Sequence, residues 1–553
     1  MDLVIEGHEI GIFAQIDCSK MTYPEKRNIF QMKKIHRFKQ VPKKVPLIIA
    51  CFVLIVLVII KGIISLNNNE YSPVSKTVSE SVINVKDAGA KGDQRSDDTK
   101  PIQKTLDLAK TSSTPIKIVI PKGTYKLTST LRIYKNTHLV LEEGAELLRS
   151  HDNTIMVNGD AGAMYKDYNG HGNITIEGGI WNGNIKNYPD PFNAIGIARG
   201  KNITIRNIEV RDVASDHAID INASEQVVIE NSKFLGFKDT TPDHSRFYSE
   251  AIQISEHTKL GFSQYGVYDG TPSKNVTIRN SYFGASGTKG TTAWPVGIGN
   301  HGSVHNKFST NIMIQDNTFE GITFVGIRNF KWKDTTIQNN TFLNNNRGIA
   351  LSNPDGKGES SKTSNGIQTG LPQSGSNTTI SNNIFQNTRR ENIYGEGWPS
   401  PTNVAKIESL IISKNVFNNQ LGGNQKPNIY LNWIDGVTIS NNRISNAYRG
   451  IYLGFASNVT ISDNTFENIG TDGLLVDEPD LKYQHKGYTN NIKIRHNTLS
   501  EIGRIGLFIQ YTKGFSIIEN EITTSAENNS FHVDNYSENG EIKDNTIITN
   551  IHQ

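Results

Sequence analysis

Cysteine is almost missing: the chain holds two, Cys18 and Cys51, so nothing beyond Leu66 can be stapled by a disulfide. A secreted eukaryotic domain of this size ordinarily carries such staples, which makes a bacterial surface the expected setting. Charge of one sign is missing too. The 57 Lys and Arg against 54 Asp and Glu leave a formal +3, too weak a field to draw nucleic acid, and no nucleic-acid partner is expected. No Walker loop, dinucleotide fingerprint or zinc spacing occurs. Nor is there a dense acidic cluster of the kind that holds calcium, so no cofactor and no metal is expected.

Long apolar runs are confined to one place. Residues 45–60 (VPLIIACFVLIVLVII) are unbroken, and with Lys61 snorkelling the stretch continues to Leu66, long enough for one transmembrane helix. Arg27, Lys33, Lys34, Arg37, Lys39, Lys43 and Lys44 precede it, and a basic flank stays on the cytoplasmic side. No small-x-small cleavage site follows in SLNNNEYSP, so the run reads as an uncleaved anchor of the cell membrane. Met32, followed by two lysines, competes with Met1 as the start. The expected organisation is a cytoplasmic segment 1–44, an anchor 45–66, a linker 67–81 and an extracellular domain 82–553.

What the rest does have is repetition. NITIEG, NITIRN, QVVIEN, NVTIRN, NIMIQDNTF, TTIQNNTF, NTTISNNIF, LIISKNVF, GVTISNNRI, NVTISDNTF, NIKIRHNTL and GFSIIENEI recur from residue 173 onward. The copies starting at Gly436 and Asn458 lie 22 residues apart (458 − 436), one coil of a parallel β-helix, and wider gaps are coils carrying loops. The alternation of Val, Ile and Phe with polar residues fits a strand buried on one face. Asparagine tolerates the left-handed backbone at the turns and can bond its neighbour in the stack.

A second strand follows most copies: HAIDI, EAIQI, VGIGN, VGIRN, RGIAL, RGIYL, DGLLV, IGLFI. Aligned by their apolar residues, these place Asp220, Gln253, Gly299, Arg328 and Ala350 on one outward column, with Tyr452, Leu475 and Phe508 further along. Rungs about 4.8 Å apart would make the column a rigid strip on which a polysaccharide can lie. Insertions rich in polar and aromatic residues fall in the same early coils, where they can wall a cleft.

Residues 82–150 differ. A strand, a glycine loop and an amphipathic helix with Ile102, Leu106 and Ala109 on one face would cap the open end of the solenoid. Here NVKDAGAKGD, then DDTKPIQKTL and VIPKGTY, resemble the start of the pectate lyase-like superfamily, which includes polygalacturonases, lyases, epimerase-like enzymes and phage tailspikes. The resemblance implies an all-β, right-handed parallel β-helix solenoid with an N-terminal capping helix, preceded in this chain by the transmembrane helix. Trimers occur among the tailspikes, so a homotrimer is left open. Set against polygalacturonases, whose motifs are Asn-Thr-Asp, Asp-Asp, Gly-His-Gly and Arg-Ile-Lys, the match is partial. His217 falls at the first Asp, Ser249 and Glu250 at the pair, Val296 at the His, Arg328 at the Arg and Phe330 at the Lys. Asp216, His301 and Lys331 stand nearby and would need a shifted backbone to substitute. The standard polygalacturonase mechanism is therefore not implied.

Glu250, one coil after His217 and Asp220, completes a set suited to glycosidic cleavage, where one carboxyl protonates the leaving oxygen and another group activates water or attacks. His301, ending a glycine-rich strand, suits a general base or a sugar contact. The expected catalytic residues are Glu250, Asp220, His217 and His301. The expected substrate contacts are Arg328, Gln253, Asp269, Trp294 and Tyr268: Arg328 for an anionic sugar, Trp294 and Tyr268 as stacking faces. Blander roles compete: Asp269 sits in an ordinary Asp-Gly turn, and Arg328 can pair internally with Glu250. The leading expectation is a membrane-anchored glycoside hydrolase acting on a polysaccharide. A uronate lyase or epimerase and a non-catalytic polysaccharide-binding or adhesive protein are the alternatives.

Overall fold

A strand in which every second residue is branched and apolar buries one face and wets the other, and the repeated motif does this coil after coil. A computed structural model describes residues 81–400, 403–420, 425–477, 489–524 and 529–549, all within the compact unit Val78–Gln553. In the strands Lys201–Arg206, Glu225–Glu230, Lys274–Arg279 and Thr310–Gln315, Ile203, Val227, Val276 and Ile312 stand in parallel register. So do Ile205, Ile229, Ile278 and Ile314, and all eight are buried. Among the described residues the coils build a 28-stranded and a 16-stranded sheet, both of parallel pairings.

The motif ends where asparagine is needed. Asn207, Asn231, Asn280, Asn339 and Asn382 turn the chain at φ between 52° and 58°, a conformation asparagine adopts more cheaply than most residues. The following position forms an internal ladder. Asn317, Asn340, Asn383, Asn415, Asn442, Asn464, Asn497 and Asn520 each donate Nδ2 to the next Oδ1 at 2.9–3.0 Å, ending on Asn545. The same Oδ1 atoms also accept the backbone N–H one coil back, as Asn464 does for Asn442 at 3.0 Å. In the earlier coils serine holds this corner: Ser232 N–H donates to Ser281 Oγ, and Ser281 N–H to Asn317 Oδ1.

Behind the wall runs a phenylalanine stack, Phe283, Phe319, Phe342, Phe385 and Phe417, with centroids 4.5–5.0 Å apart. It explains the glycine of VGIRN and RGIAL. A Cβ on Gly326 would lie 2.7 Å from the Phe342 ring, and one on Gly348 would lie 2.6 Å from Phe385.

The helix Thr99–Thr111 buries Ile102, Leu106 and Ala109 and packs against the strands Ile116–Ile120 and Leu131–Ile133. Among the described residues no helix is long and apolar enough to cross a membrane. The expected cytoplasmic segment and anchor, 1–66, lie outside the described residues.

Candidate functional site

The second strand of each coil carries the outward column. Asp220 pairs with Gln253, Gln253 with Gly299, Gly299 with Arg328 and Arg328 with Ala350. Tyr394, Tyr430, Tyr452, Leu475 and Phe508 continue it. Tyr394 and Tyr430 are new to the column. Their strands carry Asn392 and Asn428 where neighbouring coils have the glycine of the Gly-Ile signature, and with that marker gone the sequence offered nothing to align.

Glu250 opens the strand Glu250–Ser255. The register that pairs Ile219 with Ile252 sets His217 alongside it. His217 Nδ1 lies 2.9 Å from the Glu250 carbonyl oxygen and 3.6 Å from Oε2. His301, beyond the end of its strand, reaches back one coil to place Nδ1 2.9 Å from Glu250 Oε2. It is fixed there by its own N–H, which donates to Asn300 Oδ1 at 2.9 Å. The two imidazoles stack with centroids 5.8 Å apart, and Tyr248 covers His301 from 4.8 Å.

Burial divides the labour. The Glu250 carboxylate is fully enclosed, while 24% of the His301 side chain is exposed, so His301 is the face this group shows to solvent. Enclosure alone would raise the Glu250 pKa; the His301, His217 and Arg328 charges outweigh it and hold the carboxyl below its usual range. Asp220 goes the other way. Burial pushes it well above the ordinary carboxylate value, against the pull of Asn222, whose Nδ2 donates to Oδ1 at 2.6 Å. Burial lowers His217, with the Glu250 charge opposing, and lowers Arg328, again against Glu250.

Residues 365–550 match the family model described as a right-handed β-helix region. Residues 82–146 match that of rhamnogalacturonase A/epimerase, pectate lyase-like. The chain is a right-handed parallel β-helix of the pectate lyase-like superfamily. It is 29% identical over 404 residues, 68% of its length, to the plasmin and fibronectin-binding protein A of Streptococcus pneumoniae, of which the match spans 56%. It is 27% identical over 228 residues to the preneck appendage protein of Bacillus phage PZA, covering 36% of this chain and 26% of the phage protein. The solved structure of the S. pneumoniae surface protein and adhesin PfbA superposes with a TM-score of 0.61 at 26% identity, covering 72% of this chain and all of that one.

Within this pectate lyase-like β-helix, Glu250, His217, His301, Asp220, Gln253 and Arg328 gather on one stretch of wall. Three expected contacts do not join them. Trp294 is fully buried in the core against Phe237, 5.3 Å away, and offers no stacking face. Its large apolar surface gains more from the core than from water. Asp269 accepts from Arg199 at 2.6 Å and from the Thr271 backbone and hydroxyl at 2.9 and 2.7 Å, so it pins its own loop. Tyr268 donates to the Ser263 carbonyl at 2.9 Å and stacks on His257. Of the stand-ins, Asp216 faces Arg246. Lys331 is buried, donating to the Val304 carbonyl at 2.7 Å.

His217, Glu250 and His301 also bring three ligating atoms within 4.8 Å of one another, a geometry a metal ion can use. Yet both Nδ1 atoms are spent on Glu250, and the nearby Arg328 charge opposes a cation. The trio forms a hydrogen-bonded chain from the enclosed carboxylate to the solvent-facing His301.

Proposed function

We propose that this protein is a cell-surface carbohydrate-active β-helix that lays a polysaccharide along its outward column and hydrolyses it at Asp220 and His301. The carrying observation is geometric: His301 stands between the enclosed Glu250 and solvent, its Nδ1 2.9 Å from Oε2, with a second buried carboxyl, Asp220, one coil away. Separated acid and base assignments of this kind are what glycosidic cleavage needs. Asp220, whose pKa burial raises, gives its proton to the glycosidic oxygen as the C–O bond breaks. His301, its Nδ1–H held by Glu250, accepts the proton of an attacking water at Nε2. The water oxygen bonds to the anomeric carbon. Glu250 is a positioning residue, as a buried carboxylate behind a histidine is in other hydrolases. Arg328 meets an anionic substituent on the sugar. In the same reading residues 45–66 anchor the chain with its N-terminus cytoplasmic, residues 82–553 stand outside, and the helix Thr99–Thr111 caps the first coil.

The test is incubation of the intact chain with bacterial and plant polysaccharides, following reducing ends and unsaturated-uronate absorbance together. Reducing ends without the absorbance, lost in Glu250→Gln, are expected. Absorbance would move the assignment to a lyase, and the absence of both signals would overturn cleavage and leave epimerisation or binding.

A second reading, adhesion without turnover, is favoured by the complete enclosure of Glu250 and by the 68% of the chain that matches a plasmin- and fibronectin-binding protein. It requires binding that survives Glu250→Gln.

A further inference from the structure

Beyond Ala350 the column changes character. Tyr394, Tyr430 and Tyr452 occupy three successive rungs, their rings almost parallel with centroids 5.2 and 5.0 Å apart. Stacked in this way they spend their faces on one another and form a rigid, half-buried strip. Beside them lies a cleft of about 370 Å³ that is also lined by Arg390, Lys426 and Arg449.

The charges around this cleft do not balance. Arg347 grips Glu391 Oε2 through two nitrogens at 2.9 and 2.8 Å, and Arg390 lies 3.4 Å from the same oxygen. Asp472 likewise faces both Arg449 at 3.1 Å and Arg504 at 2.5 Å. Among the described residues that line the cleft itself, Arg390, Lys426 and Arg449 face one carboxylate, Glu391, a surplus of two (3 − 1). On the other flank Glu396 accepts from Tyr394 Oη at 3.1 Å and Asn432 Nδ2 at 2.9 Å. Burial pushes it up to about 7, so at neutral pH it offsets only about half a charge of the surplus.

We infer that this cleft is a second glycan-binding site, separate from the Asp220–Glu250–His301 centre, and that it takes a carboxylate-bearing sugar. Guanidinium groups meet carboxylates in a forked geometry, and the phenol strip supplies hydroxyl partners for a sugar ring. Continuity argues for a glycan: the site lies four rungs, roughly 19 Å, from Gln253 on the same column, so one chain along the wall meets both. The inference does not depend on cleavage at the first site.

The experiment is calorimetric titration of the full chain carrying Glu250→Gln, so that turnover cannot consume the ligand. The probes are hexagalacturonate, a sulfated hexasaccharide and neutral maltohexaose. Hexagalacturonate is expected to bind, weakening with salt, and maltohexaose to bind about tenfold more weakly or not at all. Replacing the partly exposed Arg390 and Lys426 together by alanine is expected to cost about tenfold in affinity, the worth of one charged hydrogen bond. Tyr430→Phe keeps the ring stack and removes one hydroxyl, for about a fivefold loss. Stronger binding of the sulfated probe would replace the carboxylate assignment with a sulfate one. Equal binding of neutral and acidic probes, no binding of either acidic probe, or an Arg390→Ala/Lys426→Ala chain that binds as before would overturn the site. None of these outcomes bears on whether the unsubstituted chain releases reducing ends.

Discussion

The early and late coils share one wall and one register, yet carry opposite chemistry. From Asp220 to Arg328 the column and its flank hold carboxyls, imidazoles and a guanidinium; from Tyr394 to Tyr452 they hold stacked phenols under a positive surplus. The interior behind both is the same ladder of isoleucines. A parallel β-helix therefore separates two design problems that a globular domain must solve together. Inward residues secure the coil, and outward residues are free to vary rung by rung.

Breaking the early half should give the largest effect. Glu250→Gln removes the charge that orients His301, and turnover is expected to fall by about 10²- to 10⁴-fold in a reducing-end assay, well beyond what the accompanying loss of stability at neutral pH accounts for. A parallel loss of folding would make Glu250 structural.

Next comes the shared interior. Phe342→Ala deletes one ring between Phe319 and Phe385, and a cost of about 3–5 kcal/mol is expected in denaturant unfolding. Asn442→Ala, which removes the oxygen that accepts from both the Nδ2 and the backbone N–H of Asn415, is expected to cost about 1–3 kcal/mol. If either variant lost glycan binding without losing stability, interior and surface would not be separable after all.

A finer probe uses pH. Asp220 is raised in the folded state, so its contribution is present below the unfolded carboxylate value near 3.8 and is lost as pH rises through the folded pKa. Asp220→Asn should therefore stabilise the chain at neutral pH and have little effect in acid. Glu250 is lowered, so its contribution is present above about 4.5 and lost as pH falls through the folded pKa. Thermal melts of both variants against pH should slope in opposite directions; parallel slopes would undo the acid and base assignments. The smallest effect is expected from EDTA, which should leave turnover unchanged if the histidine pair serves as a proton relay.

The sequence made the early half legible and the late half much less so. Asp220, Gln253 and Arg328 could be aligned because apolar residues flank them at fixed spacing, and the Phe stack demands glycine just before the isoleucine at Gly326 and Gly348. Asn392 and Asn428 break that pattern, which hid Tyr394 and Tyr430. His301 was visible as a residue, but its reach back to Glu250 depends on how the chain turns at Asn300. Trp294, Tyr268 and Asp269 take packing and loop partners for a common reason. A residue type that suits sugar also suits packing a loop, and the choice depends on Phe237, His257 and Arg199, which are distant in sequence.

The asparagine ladder carries a consequence for how such a molecule can change its length. From Asn317 to Asn545 every step is the same donor–acceptor pair, so each coil presents to its neighbour the surface it receives from the other side. Duplicating or deleting one coil's worth of coding sequence in that stretch leaves the ladder itself matched. The late half thus behaves as a ruler that evolution can extend by whole divisions. In the early half serines hold the corner and Asp220, Glu250 and His301 come from three consecutive coils, so the same splice would move them apart.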